Sequence, residues 1–128
     1  KTASDILGLE FKEIKSPINI NDYKPNIKGK YVTLSIQSTS QCKYWNHPTG
    51  WQQVVEYLNS EGYKVVLVDQ FTQFGSNNCM NIAPKNIINK SNLKLSDVTS
   101  VINKAEFHIG ISSGLSWLAW AVILIHID

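Results

Sequence analysis

This chain is poor in cysteine, in methionine and in net charge. Its 128 residues include two cysteines, Cys42 and Cys79, and a single methionine. Two distant thiols with no histidine pattern beside them do not make a metal site. They also exclude a disulfide scaffold, while one Cys42–Cys79 bridge and two free thiols both stay open. Twelve basic and ten acidic residues leave a net charge of +2. The basic residues form no run or stripe, so nothing points to a nucleic-acid partner. No apolar stretch reaches membrane-spanning length. No signal peptide is expected, because Lys1 opens an already polar segment. Position 1 is not methionine, so we expect a piece of something longer, with the cytoplasm as the default compartment.

What is present suits one domain with a real core: 43% of residues are hydrophobic. Ala3–Leu7 reads as a short helix stopped by Gly8. Residues 16–30, with Pro17, Pro25 and Gly29, read as a loop or linker. We therefore expect residues 1–30 to be an extension and linker, and residues 31–128 to be the main domain.

Tyr31–Ile36 is β-branched and aromatic, the mark of a strand. A polar loop runs from Gln37 to Gly50. Thr49 followed by Gln52 predicts a capping box. Trp51, Val54, Val55 and Leu58 then recur at helical spacing up to Gly62. Tyr63–Asp69 is a second strand, giving a unit of the right length for a parallel pair. Residues 70–91 are irregular, with a brief strand expected at Met80–Ile82 or Asn86–Ile88. Leu95, Val98, Val101, Ile102 and Ala105 share a helical face, with Ser91 or Asn92 as the expected cap and Asp97 suiting the first turn. Phe107–Ile111 reads as a buried strand, Ser112–Gly114 as a tight turn, and Leu115–Trp120 as a helix. Val122–Ile127 reads as a final buried strand. No turn residues separate it from that helix, so a backbone break is expected near Ala121–Val122. The alternation predicts an α/β fold: a Rossmann-like, mostly parallel sheet with helices on both faces.

Ligands of such sheets bind beyond the carboxyl ends of the strands. A strand turning sharply into a helix aims unpaired N–H groups and the positive helix end at that rim. Ser112, Ser113 and Ser116 add hydroxyls there, and Gly114 has no Cβ to block an anion. The loop after the first strand brings Ser38, Thr39, Ser40, Gln41 and Lys43, and a lysine among hydroxyls neutralises a phosphate. Trp45 follows as either a ligand contact or a core anchor. Asp69 ends the second strand as a ribose acceptor or a turn residue. These features predict a site for the diphosphate of a nucleotide-sugar.

Other readings compete. Ser112 or Ser113 serves equally well as a plain helix cap. Gly110–Gly114 also matches G-x-S-x-G, which would make Ser112 a hydrolase nucleophile. The partners such a nucleophile needs are reduced to His126 and Asp128, in reversed order. A non-catalytic nucleotide-binding or interaction module is a further alternative. His108 reads as a satisfied core histidine and His47 as an exposed loop residue. No carboxylate pair or metal cluster stands out.

The segments Ser38–Asn46, Gly50-Trp51, Gly62-Tyr63, Val68-Asp69 and Gly110–Ala121 resemble the bacterial autotransporter heptosyltransferases. These are relatives of the lipopolysaccharide heptosyltransferases that use ADP-heptose. Ser4–Glu13 resembles the stretch preceding that domain. The resemblance implies the donor-binding half of a GT-B enzyme, in which two Rossmann-like halves face a cleft. It implies that Lys43 and Trp45 form the family's Lys-x-Trp element, and that Ser112, Ser113 and Gly114 form its phosphate turn. Ser stands where the lipopolysaccharide enzymes usually have Asp, and Trp117 where they usually have His. Both departures point to the branch that modifies Ser/Thr hydroxyls of autotransporter adhesins. The catalytic base would be an Asp of the other half, so this chain alone should bind nucleotide without turnover. No cofactor is implied for this chain. Some relatives carry Cys-bound iron in a segment beyond it. The implied partners are an ADP-sugar donor, an autotransporter protein or lipopolysaccharide acceptor, and further copies of the full-length protein.

Overall fold

A computed structural model describes residues 3–12, 14–77 and 79–123. The elements run α1 (Ala3–Leu7), β1 (Tyr31–Ser35), a 3-10 turn (Gln41–Lys43), α2 (Gly50–Ser60), β2 (Lys64–Leu67), β3 (Gln73–Phe74), β4 (Asn81–Ile82), β5 (Ile88–Asn89), α3 (Leu95–Asn103), β6 (His108–Gly110) and α4 (Gly114–Val122). Four strands form one sheet in the order β5-β2-β1-β6, and every pairing in it is parallel. β3 and β4 form a separate antiparallel pair.

Alternation along the strands builds a core on each face. Val32, Leu34, Ile36, Val65 and Leu67 pack with Val55 and Leu58 of α2. Tyr31, Val66 and Val68 pack on the other face with Val98, Val101 and Ile102 of α3 and Ala119 and Val122 of α4. Helices therefore cover both faces, as the β-α alternation predicts. Ile18, Tyr23 and Ile27 lie against the second core. Their segment is tied down by Ser100 Oγ donating to Asn21 O at 2.8 Å and by Lys104 Nζ donating to Tyr23 O at 3.0 Å.

Several local expectations are corrected. The expected capping box does not form: Thr49 is the N-cap of α2 without a side-chain cap bond. Gln52 Oε1 instead accepts from Lys85 N at 2.8 Å. Lys94, not Ser91 or Asn92, caps α3, because Asn92 takes a left-handed φ of 63°. Leu95 is 65% exposed rather than on the core face. The strand expected at Phe107–Ile111 is shorter, lies at the sheet edge and is only half-buried. α4 starts at Gly114 and runs unbroken through Ala121 and Val122, so neither a break nor a strand start occurs there. Alanine and aromatic residues prolong the helix one residue into VILIHI, and Ile123 is its extended C-cap. The remainder of that expected strand, residues 124–127, lies outside the described residues.

Candidate nucleotide-binding site

The order of the strands decides where a site can form. From β1 the chain moves outward through β2 to β5, then returns by α3 to place β6 on the other side of β1. The direction of winding thus reverses between β1 and β6, and the loops leaving their carboxyl ends part to leave a crevice. A cavity of about 950 Å³ lies here. Ser38, Thr39 and Lys43 from the loop after β1 line it, together with Asp69 after β2 and Ser113 and Gly114 before α4.

The first turn of α4 supplies the donors. Ser113 occupies the N-cap position with extended φ and ψ but no side-chain cap bond. Its backbone carbonyl accepts from Ser116 N and Trp117 N. Its Oγ is buried and has no hydrogen-bond partner among the described residues. Gly114 has open space where a Cβ would project. Gln37 Oε1 is likewise buried without a partner, although its Nε2 donates to Asn81 O at 3.1 Å.

Asp69 is anchored rather than free. Its Oδ2 accepts from Ile36 N at 2.7 Å and its Oδ1 from Gln37 N at 3.3 Å. Both bonds hold the start of the β1 loop. Burial pushes its carboxyl up to about 6, against the lowering effect of those two N–H donors.

Other predicted residues stand outside the cavity lining. Ser116 Oγ donates to Ile111 O at 2.6 Å, and Ser112 is exposed. Ser40 Oγ meets Cys42 Sγ at 3.0 Å. Gln41 Nε2 donates to Ser76 Oγ at 3.3 Å, tying the β1 loop to the β3–β4 segment. Trp45 packs edge-on against Trp51 with centroids 5.0 Å apart, and covers Gly50, where a Cβ would lie 2.6 Å from its ring. Trp45 nevertheless stays 44% exposed, so it is not a core residue.

His108 is satisfied, as the sequence suggested. Thr33 Oγ1 meets its Nδ1 and Ser35 Oγ its Nε2, each at 3.0 Å. Burial lowers its pKa to about 4, which keeps the ring neutral. The ladder has room because Gly110 lacks a Cβ: one would collide with Ser35 Oγ and approach His108 Nε2 at 2.7 Å. Ser112 gains nothing from this histidine, and His126 and Asp128 lie outside the described residues.

The structure adds residues that the sequence reading missed. Ser16, Ile18, Phe71, Phe74 and Leu93 also line the cavity, as does Trp117, which the sequence reading named only as standing in place of a histidine. Trp117 had a signal, standing three positions after Gly114 on the same helix. Phe71 and Phe74 had none, since their segment shows no periodicity.

Among the described residues, no three His, Cys, Asp or Glu side chains converge on a point that could hold an ion. Cys42 and Cys79 are exposed and free. These residues do not fit an iron site.

Comparison with known proteins agrees with the fold. The family model described as glycosyltransferase family 9 (heptosyltransferase) matches residues 5–124. The autotransporter heptosyltransferase BAHTCr of Citrobacter rodentium is 38% identical over 123 residues, which are 94% of this chain and 30% of that protein. TibC of Escherichia coli O78:H11 is 37% identical over the same length, with the same coverage of each. The crystal structure of TibC, an iron-containing dodecameric glycosyltransferase, superposes with a TM-score of 0.77 over 91% of this chain and 31% of its own. TibC has also been solved in complex with ADP-D-β-D-heptose. The inactive autotransporter heptosyltransferase BimC of Burkholderia thailandensis is 28% identical over 122 residues, 95% of this chain and 29% of its own. The chain thus spans about 30% of the length of the curated relatives it matches.

Proposed function

The chain belongs to glycosyltransferase family 9, the heptosyltransferases, and from that premise we propose that residues 31–128 form the donor-binding part of a two-domain enzyme using ADP-heptose. One observation carries the proposal: Lys43 and the start of α4 line the same cavity at the reversal point of the sheet. A diphosphate there meets a lysine ammonium, the N–H groups of Gly114 and Leu115, and the unpartnered Ser113 hydroxyl. Ser38 and Thr39 add hydroxyls from the opposite loop. The complex of TibC with ADP-D-β-D-heptose supports this choice of donor.

In the proposed reaction an acceptor hydroxyl oxygen attacks the anomeric carbon of the heptose. The bond from that carbon to the phosphate oxygen breaks, and ADP leaves with the bonding pair. Lys43 and the α4 N-terminus stabilise the charge growing on the diphosphate. The hydroxyl proton passes to a base that we place in the other half of the enzyme. We propose a serine or threonine of an autotransporter protein as acceptor, or a lipopolysaccharide. The dodecameric state of TibC supports assembly of the full-length protein from several copies. No helix among the described residues is long and apolar enough to cross a membrane. The cytoplasm is the compartment this reading implies.

The similarity to BimC, an inactive heptosyltransferase, favours one second reading: a domain of the same fold that no longer serves catalysis. Calorimetric titration with ADP separates them. Saturable binding, weakened by about 1.5–3 kcal/mol in Lys43→Ala, is the expected result. No binding of ADP would leave the non-catalytic module, and an unchanged affinity in Lys43→Ala would remove that residue from the site.

A further inference from the structure

Large apolar side chains standing in water at the edge of a cavity call for an occupant. Phe71 is 46% exposed and Leu95 is 65% exposed, and both line the cavity. Phe71 is not a loose side chain. Its ring stacks on Phe74, with centroids 5.7 Å apart and planes inclined by 14°. Phe74 in turn is held in the β3–β4 ladder opposite Asn81, and its carbonyl accepts from the Tyr44 hydroxyl. The outer ring is therefore presented on a fixed support.

The cavity lining is chemically divided. Lys43, Ser113 and Gly114 are cationic or donating and suit phosphate. Phe71, Leu93 and Leu95 are apolar, and Asp69 offers carboxylate oxygens. Trp117 is exposed as well and lines the same cavity, but Trp120 meets its ring at 82°, so no second ring backs it face to face as Phe74 backs Phe71. A nucleoside diphosphate has the matching division: charged at one end, planar and aromatic at the other.

Resting on the donor-site reading above, we infer that Phe71, backed by Phe74, is the platform on which the purine base of the nucleotide stacks. Leu93 and Leu95 supply the apolar remainder of that subsite. An aromatic ring pre-set by a second ring fits a base because every base offers a π-face, and the ring loses little freedom on binding.

The test is titration of the protein and its Phe71→Ala, Phe71→Tyr and Trp117→Ala variants with ADP, followed by calorimetry and by the ultraviolet absorbance of the adenine. Phe71→Ala should weaken ADP binding about tenfold and abolish the hypochromism that stacking produces. Phe71→Tyr, which keeps the ring, should retain both. Unchanged affinity and hypochromism in Phe71→Ala would overturn the inference, as would loss of the hypochromism in Trp117→Ala alone. A thermal melt of each variant distinguishes loss of the platform from loss of the fold, and should Phe71→Ala not fold, Phe71→Leu, which keeps an apolar side chain without the ring, takes its place: it should lose the hypochromism, and hypochromism retained there would overturn the inference. Failure of the unmodified protein to bind ADP at all is a different result: it overturns the donor-site reading, and this inference with it.

Discussion

A methyl group at position 110 has nowhere to go. It would strike Ser35 Oγ and crowd His108 Nε2 and Ser116 Oγ, inside a ladder where hydroxyls from β1 satisfy both nitrogens of a half-buried histidine. Gly110→Ala should therefore destabilise the protein by about 1–3 kcal/mol, read as a lower denaturation midpoint; an unaltered midpoint would contradict this geometry. The same scale governs two opposed titrations. The raised carboxyl of Asp69, at about 6, contributes stability that is fully present below the ordinary carboxylate pKa and is lost as pH rises through about 6. The lowered imidazole of His108, at about 4, contributes stability that is present above 6.5 and is lost as pH falls toward 4. Each is worth on the order of 3 kcal/mol. Asp69→Asn removes the first and leaves the second, so its stability should fall more steeply than that of the unmodified protein as pH drops from about 6 to about 4. Parallel curves from equilibrium denaturation at each pH would contradict the assignment of Asp69.

At the scale of elements, legibility followed periodicity. Val32, Leu34, Val65 and Val66 marked the central strands because their alternation is set by burial on both faces. Val98, Val101 and Ile102 marked α3 for the corresponding helical reason. Ile102 is fully buried, and Ile102→Ala should cost about 2–5 kcal/mol, measurable by chemical denaturation; a cost under 1 kcal/mol would mean that α3 does not pack as described. Errors fell where local signals compete with tertiary contacts. Gln52 fits a capping box, yet Lys85 N takes its side-chain oxygen. Val122 has a strand former's side chain, yet the apolar, alanine-containing run before it carries the helix through that position. Leu95 fits the helical spacing, yet it faces the cavity lining rather than the core.

At the scale of the whole molecule, the site arises from a reversal in strand order that no single segment encodes. Ser38, Thr39, Lys43, Ser113 and Gly114 were legible because donors clustered after strands carry their own chemical meaning. Their convergence depends on β6 returning beside β1, which the order of motifs along the chain implies only once a parallel fold is assumed. Ser16, Ile18 and Phe71 were not legible, since only tertiary packing brings them to the cavity. The placement of the diphosphate between Lys43 and α4 is what the account depends on, and a crystal structure of the protein soaked with ADP tests it most directly. The account predicts phosphate oxygens within hydrogen-bonding distance of the Gly114 or Leu115 N–H groups and of Lys43 Nζ. Phosphates found anywhere else on the molecule, with this crevice occupied by water, would contradict it.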